Sequence, residues 1–174
     1  MICAEPEVRT AQGGALEPPR LVVFVCTGNT CRSPMAAALY NDQSRPREVC
    51  SACADSADGR NVVALSAGLY ANEGDPITPH AAEALREAGV YPTAGNDYTA
   101  HRAQNMTAEL MERADLVVGI SGRHAMELML RYPEHAEKIT AMPMDIADPY
   151  GQGAEVYRQC LMQIRYCLQL MNGA

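Results

Sequence analysis

Residues 21–35 read LVVFVCTGNTCRSPM, and the order of residue types here indicates the fold class. Its first six residues form a continuous, β-branched apolar run, which is typical of a strand buried on both faces of a parallel sheet. A turn containing glycine follows. Ser33 can cap a helix, and Pro34 suits a first helical position because no backbone N–H is left unpaired there. The stretch therefore predicts a strand, a loop and a helix that begins at about Ser33.

The rest of the chain continues this alternation. Apolar runs at 62–66, 115–120 and 138–142 predict three more strands, the last of them weaker. Helices are predicted at 79–88, 106–113, 123–132 and 154–171. Apolar residues define the helix 123–132 (Met126, Leu128, Met129 and Leu130) and one face of the last helix (Tyr157, Leu161, Ile164, Leu168 and Met171). The pattern predicts an α/β doubly wound fold with about four parallel strands, helices on both faces and a ligand site at the carboxyl ends of the strands.

Length and composition predict one domain. The chain has 174 residues, of which 48% are hydrophobic and 20% charged, and this is ordinary for a single core. We expect a flexible tail over residues 1–20 and a single domain over residues 21–174 with an irregular connection at about 43–61. The tail has no apolar stretch that resembles an export signal, so a cytoplasmic location is expected.

The charge balance argues against two classes of partner. Fourteen Lys and Arg against 21 Asp and Glu give a formal net charge of -7, the wrong sign for attraction to nucleic acid or acidic lipid. The sequence also has no run of 18 apolar residues that could form a membrane helix. We therefore expect no nucleic acid and no membrane as partners, and the sequence carries no pattern that specifies an oligomeric state.

The segment Cys26–Ser33 is the candidate site. Because it lies where a parallel strand passes to a helix, its backbone N–H groups and the helix N-terminus converge on an anion-sized hollow. The same positive helix end favours the thiolate form of Cys26, which makes it a candidate nucleophile. Arg32 can bind two phosphate oxygens with its guanidinium group. The other residues expected to form or support the phosphate loop are Thr27, Gly28, Asn29, Thr30, Cys31 and Ser33.

The spacing of cysteine and arginine alone is not specific. Cys3 and Arg9 have the same sequence spacing as Cys26 and Arg32. No strand precedes Cys3, however, and the acidic residues around Pro6 would repel phosphate. Only the segment at Cys26 has the strand, glycine and helix that give the motif a mechanism. Within it, Asn29 can adopt the positive φ that would hold the loop, and Ser33 can donate a hydrogen bond to the thiolate.

Five segments together resemble a known family: VFVCTGNTCRSPM, LSAG, TAHRA, ADLVVGIS and DIADPYG. The chain resembles the low-molecular-weight protein tyrosine phosphatases and their bacterial protein arginine phosphatase relatives from about residue 21 to 171. The resemblance implies that Cys26 attacks phosphorus to form a phosphocysteine and that Arg32 stabilises the equatorial oxygens. It implies that Asp148 protonates the leaving group and then activates water, and a thiolate displacing a basic leaving group needs such a proton donor.

The resemblance also implies supporting roles. Ser66 and His101 are expected to hold Asn29, although an ordinary strand-end serine and a surface histidine are the alternative. Tyr150 is expected to form a wall of the pocket and to stack on the substrate, the alternative being an exposed loop tyrosine. Asp145 is interpreted as a loop or capping carboxylate.

Thr30 indicates the substrate. By resemblance, threonine before the second loop cysteine is associated with arginine phosphatases and a larger apolar residue with tyrosine phosphatases. A guanidinium presents N–H donors that need acceptor oxygens, whereas a phenyl ring gains from apolar contact. We therefore favour phosphoarginine, with phosphotyrosine as the alternative, in a phosphorylated protein substrate. No metal and no organic cofactor is expected, because Arg32, the loop amides and Asp148 supply the charges and the proton that the reaction needs.

The remaining cysteines suggest further hypotheses. Cys31 can form a reversible disulfide with Cys26 that protects the thiolate, or can simply pack. Cys50 and Cys53 supply only two of the four ligands of a zinc site. Cys160 and Cys167 are interpreted as buried thiols of the last helix.

Two other functions are remote alternatives. A thiol-linked arsenate reductase would need shuttle cysteines in the middle of the chain, and none lies between Cys53 and Cys160. A phosphate-binding module without catalysis would have lost the nucleophile or the acid, and the sequence retains both Cys26 and Asp148.

Overall fold

The computed structural model describes residues 20–44 and 62–172. The strands are β1 (Arg20–Cys26), β2 (Val62–Gly68), β3 (Leu116–Gly119) and β4 (Ile139–Ala141). The helices are α1 (Arg32–Gln43), α2 (Pro79–Glu87), α3 (Ala108–Arg113), α4 (Gly122–Arg131) and α5 (Ala154–Asn172), with short 3₁₀ turns at Tyr98–Ala100 and Pro133–Lys138. Residues 1–19 of the predicted tail, which include Cys3 and Arg9, lie outside the described residues, whereas Arg20 begins β1. Residues 45–61 of the predicted connection, which include Cys50 and Cys53, lie outside them as well.

The four strands form one parallel sheet in the order β2-β1-β3-β4. Cys26 at the end of β1 is paired with Gly68 at the end of β2, and Val25 is paired with Gly119 at the end of β3. The carboxyl ends of these three strands therefore meet at the same edge, and the loops after them surround the end of β1. The predicted doubly wound α/β fold is confirmed.

The core has two halves because successive side chains of β1 point to opposite faces of the sheet. Val22 and Phe24 pack with residues of α1, α2 and α5. Val23 and Val25 pack with residues of α3 and α4. These buried residues explain the continuous apolar run, since a strand covered on both faces has no solvent-facing position.

The beginning of α1 differs from the prediction. The helix begins at Arg32 with Cys31 at the N-cap position, and no side chain caps it. The expected cap, Ser33, instead lies inside the helix with its hydroxyl near Cys26 and the carbonyl group of Ala67. The prediction that Ser33 caps α1 is wrong, because that hydroxyl has partners in the site.

The burial of the apolar residues of α4 also differs from the expected pattern. Leu128 is fully buried, but Met126 and Leu130 are 66% and 78% exposed. Apolar residues at neighbouring positions point around a helix, so a single packed face buries only some of them. In α5 the predicted face is buried, from Tyr157 to Leu168. No helix within the described residues is long and apolar enough to cross a membrane.

Candidate active site

A cavity of about 410 Å³ opens at the carboxyl end of β1. Its base is the loop after β1, and its walls come from the segment after β2 and from the loop before α5. The lining residues are Cys26, Thr27, Gly28, Thr30, Cys31, Arg32, Tyr70, Asn72, Asp75, Pro76, Ile77, Thr78, Pro79, Asp148 and Tyr150. The cavity thus brings together the predicted nucleophile, arginine, acid and aromatic wall, which are distant in sequence.

Three backbone carbonyl groups of the loop after β1 are held by hydrogen bonds from the segment after β2. The carbonyl oxygens of Cys26, Thr27 and Thr30 accept hydrogen bonds from the backbone N–H groups of Leu69, Tyr70 and Thr78, each at 2.9 Å. Within the described part of the chain, the N–H groups of residues 28–31 donate to no partner. A ring of N–H groups without partners beside a helix N-terminus is suited to binding an anion such as phosphate.

Cys26 lies almost fully buried at the base of the cavity. Its Sγ is 3.0 Å from Ser33 Oγ, and that oxygen also accepts from Asn29 Nδ2 at 3.0 Å. Ser33 Oγ lies 3.2 Å from the carbonyl oxygen of Ala67 as well. A serine hydroxyl has one hydrogen, so Ser33 can donate to a thiolate on Cys26 when that charge is present and to the carbonyl group otherwise.

Asn29 holds the shape of the loop. It is fully buried, and its φ of 55° lies in the left-handed region that asparagine tolerates better than most residues. Its Nδ2 donates to Ser66 Oγ at 2.9 Å, and its Oδ1 accepts from the backbone N–H of Gln104 at 2.9 Å. His101 Nε2 lies 2.7 Å from the carbonyl oxygen of Asn29 and must be the donor, because a carbonyl group only accepts.

The structure therefore brings Ser66 and His101 against Asn29, and it adds Gln104, which no sequence pattern indicated. Burial lowers the pKa of His101, although its hydrogen bond to Asn29 acts in the opposite direction. A neutral ring that carries its hydrogen on Nε2 is the form that supports the loop.

Arg32 crosses the base of the cavity. Its side chain is 7% exposed; Nη1 donates to the carbonyl oxygen of Ile146 at 3.2 Å, and Nη2 donates to Asp148 Oδ2 at 2.5 Å. The Nε–H is buried and has no hydrogen-bond partner among the described residues. A phosphate oxygen would satisfy this donor, since a buried donor without an acceptor is costly.

The loop that carries Asp148 forms the other side of the opening. The Asp148 side chain is 49% exposed, and Oδ1 accepts from the backbone N–H of Tyr150 at 3.1 Å. Tyr150 is itself 69% exposed while lining the cavity. Asp145 accepts from the N–H of Gly122 at the start of α4 at 2.8 Å, so it caps a helix as interpreted from the sequence.

Thr30 and Cys31 form the side of the loop that faces α2 and α5. Thr30 Oγ1 and Cys31 Sγ are 3.6 Å apart, and both residues line the cavity. Cys31 Sγ is also 3.3 Å from the hydroxyl oxygen of Tyr157 on α5. Burial and the contact with Cys31 raise the pKa of Tyr157 to about 12, so its hydroxyl keeps its hydrogen at neutral pH.

Two groups beside the site were not identified from the sequence. His124, buried on the first turn of α4, lies 3.0 Å from Thr27 Oγ1 through Nε2 and 2.8 Å from Ser121 Oγ through Nδ1. Tyr70 donates to Glu127 at 2.5 Å and lies beneath the guanidinium of Arg131. A lone histidine in an amphipathic helix gives no sequence signal for contact with a loop 97 residues away.

The two cysteines of α5, Cys160 and Cys167, are buried thiols, as interpreted from the sequence. Burial raises the pKa of Cys160 to about 12, which makes it a poor nucleophile. Within residues 20–44 and 62–172, no three His, Cys, Asp or Glu side chains are grouped to hold a metal ion.

The comparison with protein families identifies one match. The sequence pattern of the family described as low molecular weight phosphotyrosine protein phosphatase matches residues 21–172. Among curated proteins, the chain is 35% identical over 145 residues to a protein-arginine-phosphatase from Bacillus subtilis, with 79% of this chain and 85% of the relative covered.

Solved structures agree with this match. The YwlE arginine phosphatase from Geobacillus stearothermophilus superposes with a TM-score of 0.73 at 31% identity, covering 89% of this chain and 92% of the other. A low molecular weight protein tyrosine phosphatase from T. tengcongensis also has a TM-score of 0.73, at 34% identity, covering 89% of this chain and 99% of the other. One of these two structures is named an arginine phosphatase and the other a tyrosine phosphatase, and their sequence identities to this chain, 31% and 34%, are similar.

Proposed function

Because the chain belongs to the low molecular weight phosphotyrosine protein phosphatase family, we propose that it removes phosphoryl groups from arginine side chains of proteins, with Cys26 as nucleophile. The chain is a protein phosphatase, a hydrolase with a cysteine-based mechanism. The roles of individual residues and the choice of arginine belong to the proposal.

In the first step, the Cys26 thiolate attacks phosphorus, and the bond between phosphorus and the side-chain nitrogen of the substrate breaks. The loop N–H groups and Arg32 bind the equatorial oxygens, where charge is concentrated in the transition state. The leaving nitrogen takes a proton from Asp148, which must leave Arg32 and turn towards the substrate. Phosphate oxygens at the Arg32 guanidinium would replace Asp148 as the partner of Nη2.

In the second step, a water molecule attacks the phosphocysteine. Asp148, now ionised, accepts a proton from this water and is ready for the next cycle. The products are inorganic phosphate and the Cys26 thiolate, which Ser33 stabilises by donating its hydroxyl hydrogen. Asn29, held by Ser66 and His101, keeps the loop in the required shape throughout.

The choice of phosphoarginine rests on one observation, the threonine at position 30 in the cavity wall. The carbonyl group of Thr30 accepts from the N–H of Thr78 at 2.9 Å, which fixes this residue at the wall. Its hydroxyl oxygen can accept from a guanidinium N–H, whereas the larger apolar residue at this position in the tyrosine branch offers no acceptor.

The test is a comparison of kcat/KM for matched peptides that carry phosphoarginine or phosphotyrosine, in metal-free buffer. We expect turnover of the phosphoarginine peptide to be faster by about tenfold or more. The Thr30 hydroxyl pairs with a guanidinium N–H, whereas a phenyl ring would cover that hydroxyl without a partner, at a cost of about 1–3 kcal/mol. Cys26→Ser provides the blank and should be inactive with both peptides. Faster turnover of phosphotyrosine would contradict the proposed specificity while retaining the residue roles.

Phosphotyrosine is the second candidate because aromatic and apolar side chains also line the cavity. Tyr70 and Tyr150 lie on its walls, with Pro76 and Ile77 near them. These groups would pack against a phenyl ring. For either substrate, we propose that the enzyme acts in the cytoplasm, where a reducing environment keeps Cys26 as a free thiol.

A further inference from the structure

His124 forms a hydrogen bond with the hydroxyl group of Thr27, a residue that has no role in the proposed catalytic steps. Thr27 is the residue directly after the nucleophile, and its side chain lines the active-site cavity. It also lines an adjoining cavity of about 300 Å³ against α4. Among the described residues, the Thr27 hydroxyl has one hydrogen-bond partner, Nε2 of the buried His124.

The helix cap at α4 sets the direction of the hydrogen bonds. Ser121 Oγ caps α4 by accepting from the backbone N–H of His124 at 3.4 Å, which leaves the hydroxyl hydrogen of Ser121 available. That hydrogen can be donated to Nδ1 of His124, 2.8 Å away. A neutral imidazole that accepts at Nδ1 carries its hydrogen on Nε2 and donates from there. Nε2–H then donates to Thr27 Oγ1, so the hydrogen of Thr27 must point elsewhere.

The charges around the ring favour this neutral form. Burial and the Arg32 guanidinium lower the pKa of His124, and Arg123 acts in the same direction. Asp148 and Glu127 oppose them but do not reverse the shift. At pH 7 the ring is therefore neutral.

We propose that Ser121 and His124 are positioning residues that turn the Thr27 hydroxyl hydrogen into the active-site cavity, where Thr27 donates to an oxygen of the bound phosphate. The donor would supplement the loop N–H groups and Arg32 on the side of the cavity that faces α4. A hydrogen bond to a charged acceptor is stronger than one between neutral groups, so its loss should be measurable. The proposal rests on the proposed function only in requiring that the cavity binds phosphate.

The first experiment measures Ki for inorganic phosphate as a competitive inhibitor of aryl phosphate hydrolysis. Thr27→Val keeps the shape of the side chain and removes the hydroxyl, so we expect Ki to rise about tenfold. Thr27→Ser keeps the hydroxyl and should remain within about twofold of the wild type. An unchanged Ki in Thr27→Val would overturn the proposal. A wild-type enzyme that hydrolyses no aryl phosphate would instead contradict the proposed function.

The second experiment tests His124. His124→Gln can place an amide N–H near the position of Nε2 and should retain most of the phosphate affinity, whereas His124→Phe should raise Ki as much as Thr27→Val. The double variant Thr27→Val/His124→Phe should bind phosphate no more weakly than either single variant, because both act through one hydroxyl. If the double variant raised Ki by the product of the two single effects, Thr27 and His124 would act independently and the proposal would be refuted. Thermal unfolding of each variant separates these effects from a loss of folded protein.

Discussion

Thr30 is the residue on which we propose that substrate choice depends, since it lies in the cavity wall formed by the loop. Replacement by isoleucine removes the acceptor and adds apolar surface. We expect Thr30→Ile to shift the ratio of kcat/KM values towards the phosphotyrosine peptide by about tenfold, equivalent to about 1.4 kcal/mol. The measurement compares the matched phosphoarginine and phosphotyrosine peptides. If Thr30→Val shifts the ratio equally, the missing hydroxyl explains the effect; if neither variant shifts it, Thr30 does not select the substrate.

Cys31 is the residue on which recovery from oxidation should depend. Peroxide converts the Cys26 thiolate to a sulfenic acid. The Cys31 sulfur can then attack the Cys26 sulfur, the S–O bond breaks with release of water, and the disulfide that forms can be reduced again by added thiols. We expect Cys31→Ser to lose the recovery of activity that the wild type shows after peroxide and then dithiothreitol. Cys160→Ser is the matched control and should recover like the wild type. Full recovery without Cys31 would contradict the disulfide and leave packing against Tyr157 as its role.

The contact between β3 and α4 depends on Gly119. A Cβ atom at this position would lie 2.5 Å from the backbone nitrogen of Ala125, a distance that requires the helix to move. We expect Gly119→Ala to lower the free energy of unfolding by about 1–3 kcal/mol, as overpacking does, measured by urea denaturation. Gly122→Ala is the matched control, because its Cβ would meet only Asp145 Oδ1 at 3.7 Å. Equal stability of the two variants would show that α4 can shift without cost.

Strands, loops and helices formed by residues that are neighbours in the chain could be predicted from the sequence. Contacts between side chains that are far apart in the sequence could not. The strand, loop and helix around Cys26 are formed by residues that are neighbours in the chain, and the alternation of such units predicts the sheet. The pairing of Thr27 with His124 spans 97 residues, and that of Cys31 with Tyr157 spans 126. No spacing rule connects such positions. Local rules also failed for Ser33, because a hydroxyl that could cap the helix is held by the site instead.

The stability of the whole molecule should fall in mild acid because the half-buried His101 and the buried His124 support the site. Burial lowers the pKa of both His101 and His124 below the ordinary value of 6.5. Above this value both rings are neutral in the folded and the unfolded chain. As the pH falls below it, the unfolded chain binds protons that the folded chain does not, so the free energy of unfolding decreases.

We therefore expect the urea concentration at the midpoint of unfolding to decrease as the pH is lowered from about 7.5 to about 5.5. The decrease should be smaller in His101→Gln/His124→Gln than in the wild type. The difference between the two proteins should be constant at higher pH, where both histidines are neutral, and this provides the control. Parallel curves over the whole range would show that these histidines are not the source of the acid sensitivity.

The ion pair between Arg32 and Asp148 joins positions 116 residues apart, one after the internal strand β1 and the other after the edge strand β4. On the ribosome, the thiol and its anion-binding loop emerge early, whereas the acid emerges only after all four strands. A nascent chain that ends before Asp148 holds Cys26 without the carboxyl group that we propose as its proton donor, so we expect it not to complete a catalytic cycle. The activity measured in a cell extract would then reflect the amount of completed, folded enzyme and not the total amount of its polypeptide.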